Sequence, residues 1–368
     1  MGRETYTGDV AFEVRGHLGI ITLNRPKALN ALTKLMCESV LIQLQDWADD
    51  DDVAQVLVRG AGDRGLCAGG DVVGIYREIT SDIDDGGGLF PDGTPGFQAE
   101  YESEEFWRVE YRMNQLIARY PKPYIALMDG VVLGGGIGIS AHGSHRIVTE
   151  RTKAGMPETT IGFTPDVGGA HLLSAAPLGT GLHAGMTGAH LGAADVLHLG
   201  MADAYLESAQ LESFIAEVTR RPVDEVLPEM RSAPGASALA ESAWIAEAYS
   251  ADTVEEILSR LDALAAEHPE AGEAASTLRS KSPTSLKVTL RSLREAQGQS
   301  LEDVLRRDYT LGVNIMRSRD FREGIRAQLV DKDRSPKWTP ATLEEVDDAV
   351  VARLFTPAPG KTLTFDEE

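Results

Sequence analysis

The stretch Leu133-Gly134-Gly135-Gly136-Ile137-Gly138 follows an apolar run, Tyr124-Ile125-Ala126-Leu127-Met128, across an Asp129-Gly130 break. Three consecutive glycines fill no core. They permit unusual backbone angles and let another molecule approach the main chain. Where such a turn opens a helix, its free N–H groups face outward and can hold an oxyanion. A second turn of this kind, Cys67-Ala68-Gly69-Gly70-Asp71, follows the apolar strand Val56-Leu57-Val58. Two strand–glycine turns can set two N–H donors around one carbonyl oxygen, which is the chemistry of charge stabilisation in acyl transfer. Either turn alone could be a tight turn without a ligand; the repetition favours the chemical reading.

The elements that must position these turns follow from hydrophobic periodicity. Val10 to Val14 and Leu18 to Leu23 read as a β-hairpin, broken by Asn24-Arg25-Pro26-Lys27. A helix is expected from about Thr33 to Ala48, with Leu35, Val40, Leu41, Leu44 and Trp47 on one side. A strand over Ala54 to Arg59, a helix starting at Asp71 and a helix from Ser103 to Arg119 come next. The Gly-, Asp- and Pro-rich stretch from Ser81 to Phe97 reads as a long loop. After Gly138 a helix continues to His142, and Arg146 to Thr149 is a short strand. Strands alternating with helices imply right-handed crossovers and a mainly parallel sheet. From Asp195 onward the pattern is helical. Pro222 to Pro269 is Ala/Glu-rich and reads as surface decoration; Ser282-Pro283 reads as a helix start; the tail from Thr364 reads as frayed.

Composition narrows the function classes. The chain has 368 residues, 42% hydrophobic, enough for a large core with one domain or one plus an appendage. Its formal net charge of −22 repels nucleic acid and anionic membranes in general, though a local basic patch could still hold an anionic ligand. Two cysteines, Cys37 and Cys67, exclude a disulfide framework and a cysteine zinc cluster, and point to a reducing cytoplasm. The N-terminus shows no apolar signal core and no transit pattern, and no run of 18 apolar residues exists. A P-loop is absent, because Phe355 stands where Gly360-Lys361-Thr362 would need a leading glycine. The dinucleotide fingerprint is absent too, with Ile139 at its last glycine, and no G-x-S-x-G elbow occurs. His142 and His145 are spaced i, i+3 with no Cys or acidic neighbour in sequence, a poor metal signal.

Taken together, Ile21 to Leu32 (ITLNRPKALNAL), Cys67-Ala68-Gly69-Gly70-Asp71, Gly134-Gly135-Gly136 and Met156-Pro157-Glu158 resemble the crotonase (enoyl-CoA hydratase/isomerase) superfamily, in its order along the chain. The resemblance implies an α/β fold with a repeated ββα core and a C-terminal helical segment, here residues 1–205 and 206–368. It implies acyl-CoA thioester substrates and an oxyanion hole from the N–H groups of Gly70 and Gly135. Hydratases of this superfamily carry a Glu two residues after the third glycine; here that position is Gly138, so one of the two carboxylates needed to hydrate a double bond is missing. The second position is present as Glu158. A further acid, Asp166, follows eight residues on, and Gly162 and Pro165 make the stretch a loop from which both carboxylates can turn into one pocket.

This pairing of Pro-Glu-Thr with Pro-Asp-Val-Gly-Gly resembles the 3-hydroxyisobutyryl-CoA hydrolases. So do Ser282 to Lys287, Arg317 to Ala327 and Asp331 to Trp338, so the likeness spans nearly the whole chain, with residues 222–269 the main departure. It implies that Glu158 activates water or attacks the thioester itself. It implies that Asp166 binds the 3-hydroxyl or shares the proton work, and that Glu110 contacts substrate. Arg25 and Lys27, in the segment that lines CoA, are candidates for its phosphates, with Lys122 and C-terminal cations as others. CoA is part of the substrate, so no cofactor is expected, and neither nucleic acid nor membrane is an expected partner. The superfamily suggests trimers, although the long C-terminus could cover that interface. The competing readings are an enoyl-CoA hydratase or isomerase using Glu158, and a non-catalytic scaffold of the same fold.

Overall fold

A computed structural model describes residues 3–84 and 101–365 of the chain. Among them ten strands form, in chain order β1 (Arg3–Thr7), β2 (Val10–Arg15), β3 (Leu18–Leu23), β4 (Gln55–Gly60), β5 (Gly65–Cys67), β6 (Tyr124–Met128), β7 (Val131–Leu133), β8 (His145–Val148), β9 (Lys153–Gly155) and β10 (Ala204–Tyr205). The expected hairpin is the antiparallel pair β2–β3, and β1 adds a strand to its edge. From β3 the sheet continues in parallel through β4, β6, β8 and β10. A separate parallel sheet has the order β5-β7-β9.

By internal contacts the chain forms two compact units, each drawn from three stretches: Met1–Gly70, Val109–Gly155 and His190–Ala240 in one, Asp71–Arg108, Met156–Ala189 and Glu241–Glu368 in the other. Both sheets belong to the first unit. Its core runs through Leu18 and Ile20, Leu57, Ile125 and Leu127, and Ile147, the alternate residues of successive strands that point to one face. Phe214, Ile215 and Val218 cover that face. The opposite residues, Ile21, Val56 and Val58, are buried as well, as a largely parallel sheet covered on both sides requires.

The stretch after Pro222 is not surface decoration. Val223, Val226 and Leu227 pack into the same core. Buried Gln55 ties their helix to the sheet: its Nε2 donates to the carbonyls of Val218 (2.5 Å) and Arg221 (3.0 Å), and its Oε1 accepts from Val223 N–H (2.9 Å). Farther along, Trp244, Ile245, Tyr249, Ile257 and Leu261 are buried in the second unit. The Ala/Glu richness hides a sparse set of large apolar residues at helical spacing, and these do the packing.

The first helix runs Lys34–Ala48, with Thr33 Oγ1 accepting from Met36 N–H as its N-cap. Met36, Cys37, Val40, Leu44 and Trp47 are its buried face. Leu35, expected on that face, is 73% exposed because it lies one residue off the stripe. Residues 81–84, expected to begin a loop, finish the helix Val72–Asp84; the rest of that expected loop lies outside the described residues. The glycine-turn helix ends at Ser140, short of His142.

The second unit is helical, and its C-terminal end is tied down rather than frayed as far as Phe365. Glu104, 3% exposed, accepts from Arg317 and from Lys361, each at 2.5 Å. Arg317 also lies 4.9 Å from the Tyr101 ring, and the Arg306 guanidinium 5.2 Å from the ring of buried Phe365. The last three residues of the expected frayed tail lie outside the described residues.

Candidate active site

The two glycine turns sit at the ends of adjacent strands, β5 and β7, whose parallel pairing brings them side by side. The turn after β7 has Gly134 at φ +51°, ψ −116°, which opens the helix Gly135–Ser140. A Cβ on Gly135 would lie 3.3 Å from Gly70 N, and one on Gly69 would lie 3.8 Å from Gly135 N. The two N–H groups are therefore neighbours, and among the described residues neither has a backbone carbonyl as its acceptor. Gly136 explains the third glycine of the run: a Cβ there would come within 2.4 Å of the Cys67 carbonyl oxygen. The glycines are required by close backbone approach between the two turns.

Segment 24–32 holds the first turn in place. Leu29 carbonyl accepts from Ala68 N–H (3.0 Å), and Leu32 N–H donates to Gly69 O (2.8 Å). Asn30, 1% exposed and at φ +56°, is the hub: its Oδ1 accepts from Arg25 N–H, and its Nδ2 donates to the carbonyls of Ala61 (3.0 Å) and Gly65 (3.1 Å). Asn tolerates the left-handed region through such local bonds. Asn30 stood in the quoted motif, but its role as a clamp could not be read from the string.

Glu110, from the helix Glu102–Ala118, reaches the same place. Its Oε1 lies 2.6 Å from where a Gly135 Cβ would sit, and the residue is 2% exposed. Its charge is felt by both thiols: burial pushes Cys67 up to about 12 and Cys37 well above its ordinary value, with Glu110 adding to each. Both cysteines are buried and free. Gly70, Gly135 and Glu110 thus lie close together.

Glu158 and Asp166 belong to the second unit. Glu158 opens a 3-10 turn, Glu158–Ile161, and Asp166 lies four residues beyond Gly162, the turn's left-handed cap. Each is 7% exposed, which excludes a solvated surface role. The loop between them is clamped along its length. A Cβ on Gly162 would meet the Asp320 carbonyl at 2.6 Å. Phe163 stacks on Trp107, with centroids 5.6 Å apart, and packs on Phe321 at 5.1 Å. Ser285 Oγ donates to Phe163 O, Thr289 Oγ1 to Thr164 Oγ1 (3.0 Å), and Gly168 N–H to Asp308 Oδ2 (2.9 Å). Lys281, 8% exposed, donates to Thr160 Oγ1 at 2.6 Å, and burial pushes its pKa down to about 8. Three C-terminal helices, Pro283–Ala296, Leu301–Ile315 and Arg319–Ile325, therefore frame the carboxylate loop. The one sequence signal for Asp308 was an acid at a core-facing position of an amphipathic helix.

The cation candidates separate. Arg25 donates to Ala31 O (2.6 Å) and lies 3.3 Å from Asp9, so it braces its own loop. Lys122 Nζ donates to the carbonyls of Trp47 (2.5 Å) and Asp50 (2.7 Å), which caps the end of the first helix. Lys27 is exposed, on the turn Pro26–Ala28. His145 pairs through Nε2 with Asp224 Oδ1 at 3.0 Å, an acid 79 residues away in sequence. Among the described residues no three of His, Cys, Asp and Glu gather as metal ligands would, and no helix is long and apolar enough to cross a membrane.

Parallel strands ending in paired glycine turns define the crotonase class of α/β proteins. The chain belongs to the enoyl-CoA hydratase/isomerase family, whose model matches residues 18–355. It is 36% identical over 361 residues to the mitochondrial 3-hydroxyisobutyryl-CoA hydrolase of Gallus gallus, covering 95% of this chain and 89% of that one. It is 38% identical over 364 residues to the mitochondrial 3-hydroxyisobutyryl-CoA hydrolase of Danio rerio, with the same coverage. A solved structure described as a carnitinyl-CoA dehydratase, from Mycobacterium thermoresistibile, superposes with a TM-score of 0.89 at 46% identity, covering 98% of this chain and all of that one.

Proposed function

We propose that the protein hydrolyses the thioester of 3-hydroxyisobutyryl-CoA, or of a similar short 3-hydroxyacyl-CoA, to the free acid and CoA. The observation that carries this reading is Gly138, a residue without a side chain where a hydratase needs an acid. It stands in a chain similar over 95% of its length to hydrolases of that name.

Hydrolysis of a thioester needs a polarised carbonyl, an attacking oxygen and a proton for the leaving sulfur. The N–H groups of Gly70 and Gly135 hold the carbonyl oxygen as it gains negative charge, and favour that state over the neutral ester. Glu158 supplies the basic oxygen, whether it takes a proton from water or attacks the carbonyl carbon itself. In the first route water bonds to the carbonyl carbon as its proton passes to Glu158. The C–S bond then breaks, and the sulfur leaves with the electron pair and takes that proton. In the second, a Glu158 oxygen bonds to the carbonyl carbon, and the C–S bond breaks to leave a mixed anhydride and a thiolate. Water then cleaves the anhydride, which restores the Glu158 carboxylate, frees the acid and supplies the proton for the thiolate. Asp166 accepts from the substrate 3-hydroxyl and sets the acyl chain. Glu110 contacts substrate beside the donor pair, and Lys27 is the exposed cation offered to the CoA phosphates. The proposal needs no cofactor beyond the CoA of the substrate, and it includes a place in valine breakdown and a cytoplasmic, reducing setting for the two free thiols.

The 46% identity to a structure described as a dehydratase favours a second reading, a lyase that adds or removes water at a double bond. Free-thiol release from 3-hydroxyisobutyryl-CoA, run beside hydration of crotonyl-CoA, separates the two. Fast thiol release with negligible hydration is expected. Robust hydration without thiol release would overturn the hydrolase reading.

A further inference from the structure

Asp308 lies on the Leu301–Ile315 helix among Val304, Leu305, Leu311 and Ile315, at a position where an apolar residue would be ordinary. It is 0% exposed. Its Oδ2 accepts from Gly168 N–H at 2.9 Å, while its Oδ1 meets no hydrogen-bond partner among the described residues. The bond it makes falls on an unusual turn. Val167 has φ +51° and Gly168 φ +74°, two left-handed residues in succession, and the first is β-branched. Such a residue is strained there and persists only where its surroundings hold it. The turn begins at Asp166, whose carbonyl accepts from Gly169 N–H at 2.6 Å.

We propose that Asp308 is a positioning residue for Asp166, holding the Val167-Gly168 turn through Gly168 N–H so that the Asp166 carboxyl keeps a single setting. The inference deepens the hydrolase reading, in which Asp166 takes the substrate hydroxyl. The charged groups around Asp308 are Arg307, beside it on the helix, and Asp166 across the loop. Burial pushes the Asp308 pKa up to about 8; Arg307 opposes this, Asp166 adds to it, and the Gly168 bond opposes it. A buried carboxyl with one oxygen unpartnered is cheaper to keep neutral than ionised. Burial thus favours the neutral carboxyl, which still accepts the Gly168 N–H bond.

Two variants and two readouts test this. Asp308→Asn keeps an oxygen for Gly168 N–H, and Asp308→Ala removes it. Amide hydrogen exchange at Gly168, followed without substrate, should stay slow in the wild type and Asp308→Asn and become at least about tenfold faster in Asp308→Ala, the loss of one hydrogen bond. For CoA release, Asp308→Ala should lower kcat/KM on 3-hydroxyisobutyryl-CoA by about tenfold or more, with a smaller loss on isobutyryl-CoA, which lacks the hydroxyl. Asp308→Asn should restore it. Unchanged Gly168 exchange in Asp308→Ala would overturn the positioning role. Equal losses on both thioesters, or no rescue by Asp308→Asn, would overturn it as well. A wild-type chain that releases no CoA, yet shows the exchange pattern, would remove the hydrolase reading while supporting the clamp on the turn.

Discussion

A Cβ on Gly135 would come within 2.6 Å of Glu110 Oε1. The buried carboxylate thus stands where a side chain at the glycine beside Gly70 would begin. Gly135→Val would force them apart and tilt the N–H. Turnover should fall on the order of 10²–10³-fold, the usual cost of losing one such donor. Circular dichroism and thiol release on the purified variant check it; near-normal turnover in a folded variant would remove Gly135 from the chemistry.

Glu158→Gln preserves shape and hydrogen bonding but removes the basic oxygen. Turnover should fall by about 10² or more, with substrate binding little changed. Asp166→Asn should behave differently, with a strong loss on 3-hydroxyisobutyryl-CoA and a weaker one on isobutyryl-CoA, where no hydroxyl is left unpaired. Steady-state kinetics on the two thioesters decide between roles. Equal losses would make Asp166 a proton carrier, and an unchanged rate in Glu158→Gln would sink the mechanism.

Glu104 is the buried anion shared by Arg317 and Lys361. Glu104→Gln leaves the Arg317 charge buried without its counter-ion. It should destabilise the protein by roughly 3–5 kcal/mol, as breaking a buried pair does. Lys361→Ala should cost less, since Arg317 still pairs with Glu104. Urea unfolding of both variants gives the comparison; a Glu104→Gln midpoint equal to the wild type would show that the triad adds nothing.

Two buried groups with values near 8 should bend stability in opposite directions with pH. Asp308 is raised above its unfolded value, so its contribution is fully present below about 4 and lost as pH rises through about 8. Asp308→Asn should therefore gain on the wild type as pH rises over that window, then level off. Lys281 is depressed to about 8 by burial, so its charge penalises folding below that value and the penalty fades as pH rises toward about 10.5, where the unfolded lysine loses its own proton. Lys281→Met should lose ground to the wild type as pH rises over that range. Thermal unfolding across pH checks both; a difference flat in pH for either variant means that the group does not titrate there.

Much of the molecule was legible in its string because the signals were local. Short apolar runs bounded by breakers gave the hairpin and β4, and Thr33 and Ser282 marked helix starts that their side chains do cap. The glycine runs marked both turns, since only glycine tolerates the backbone approach made there. The family followed from the order of four short motifs. Burial was less legible. Leu35 looked like core and is exposed; Val223 and Val226 looked like decoration and are core. A helical stripe fixes a face to within about one residue, and one residue turns a side chain by about 100°.

The sequence by itself determined most strand and helix positions, the family and which candidate groups the chain offers, because propensity, turn geometry and ionisable side chains are properties of short segments. Only the tertiary structure decided which of those groups stand together and which are spent elsewhere. Parallel pairing of β5 with β7 set Gly70 N–H beside Gly135 N–H, and a separate helix brought Glu110 against them. Arg25 and Lys122, both candidates for holding phosphate, donate to backbone carbonyls. Asp308 meets Gly168 across 140 residues. Pairings of that range depend on how the whole chain packs, and a buried polar group takes whichever partner the packing leaves within reach.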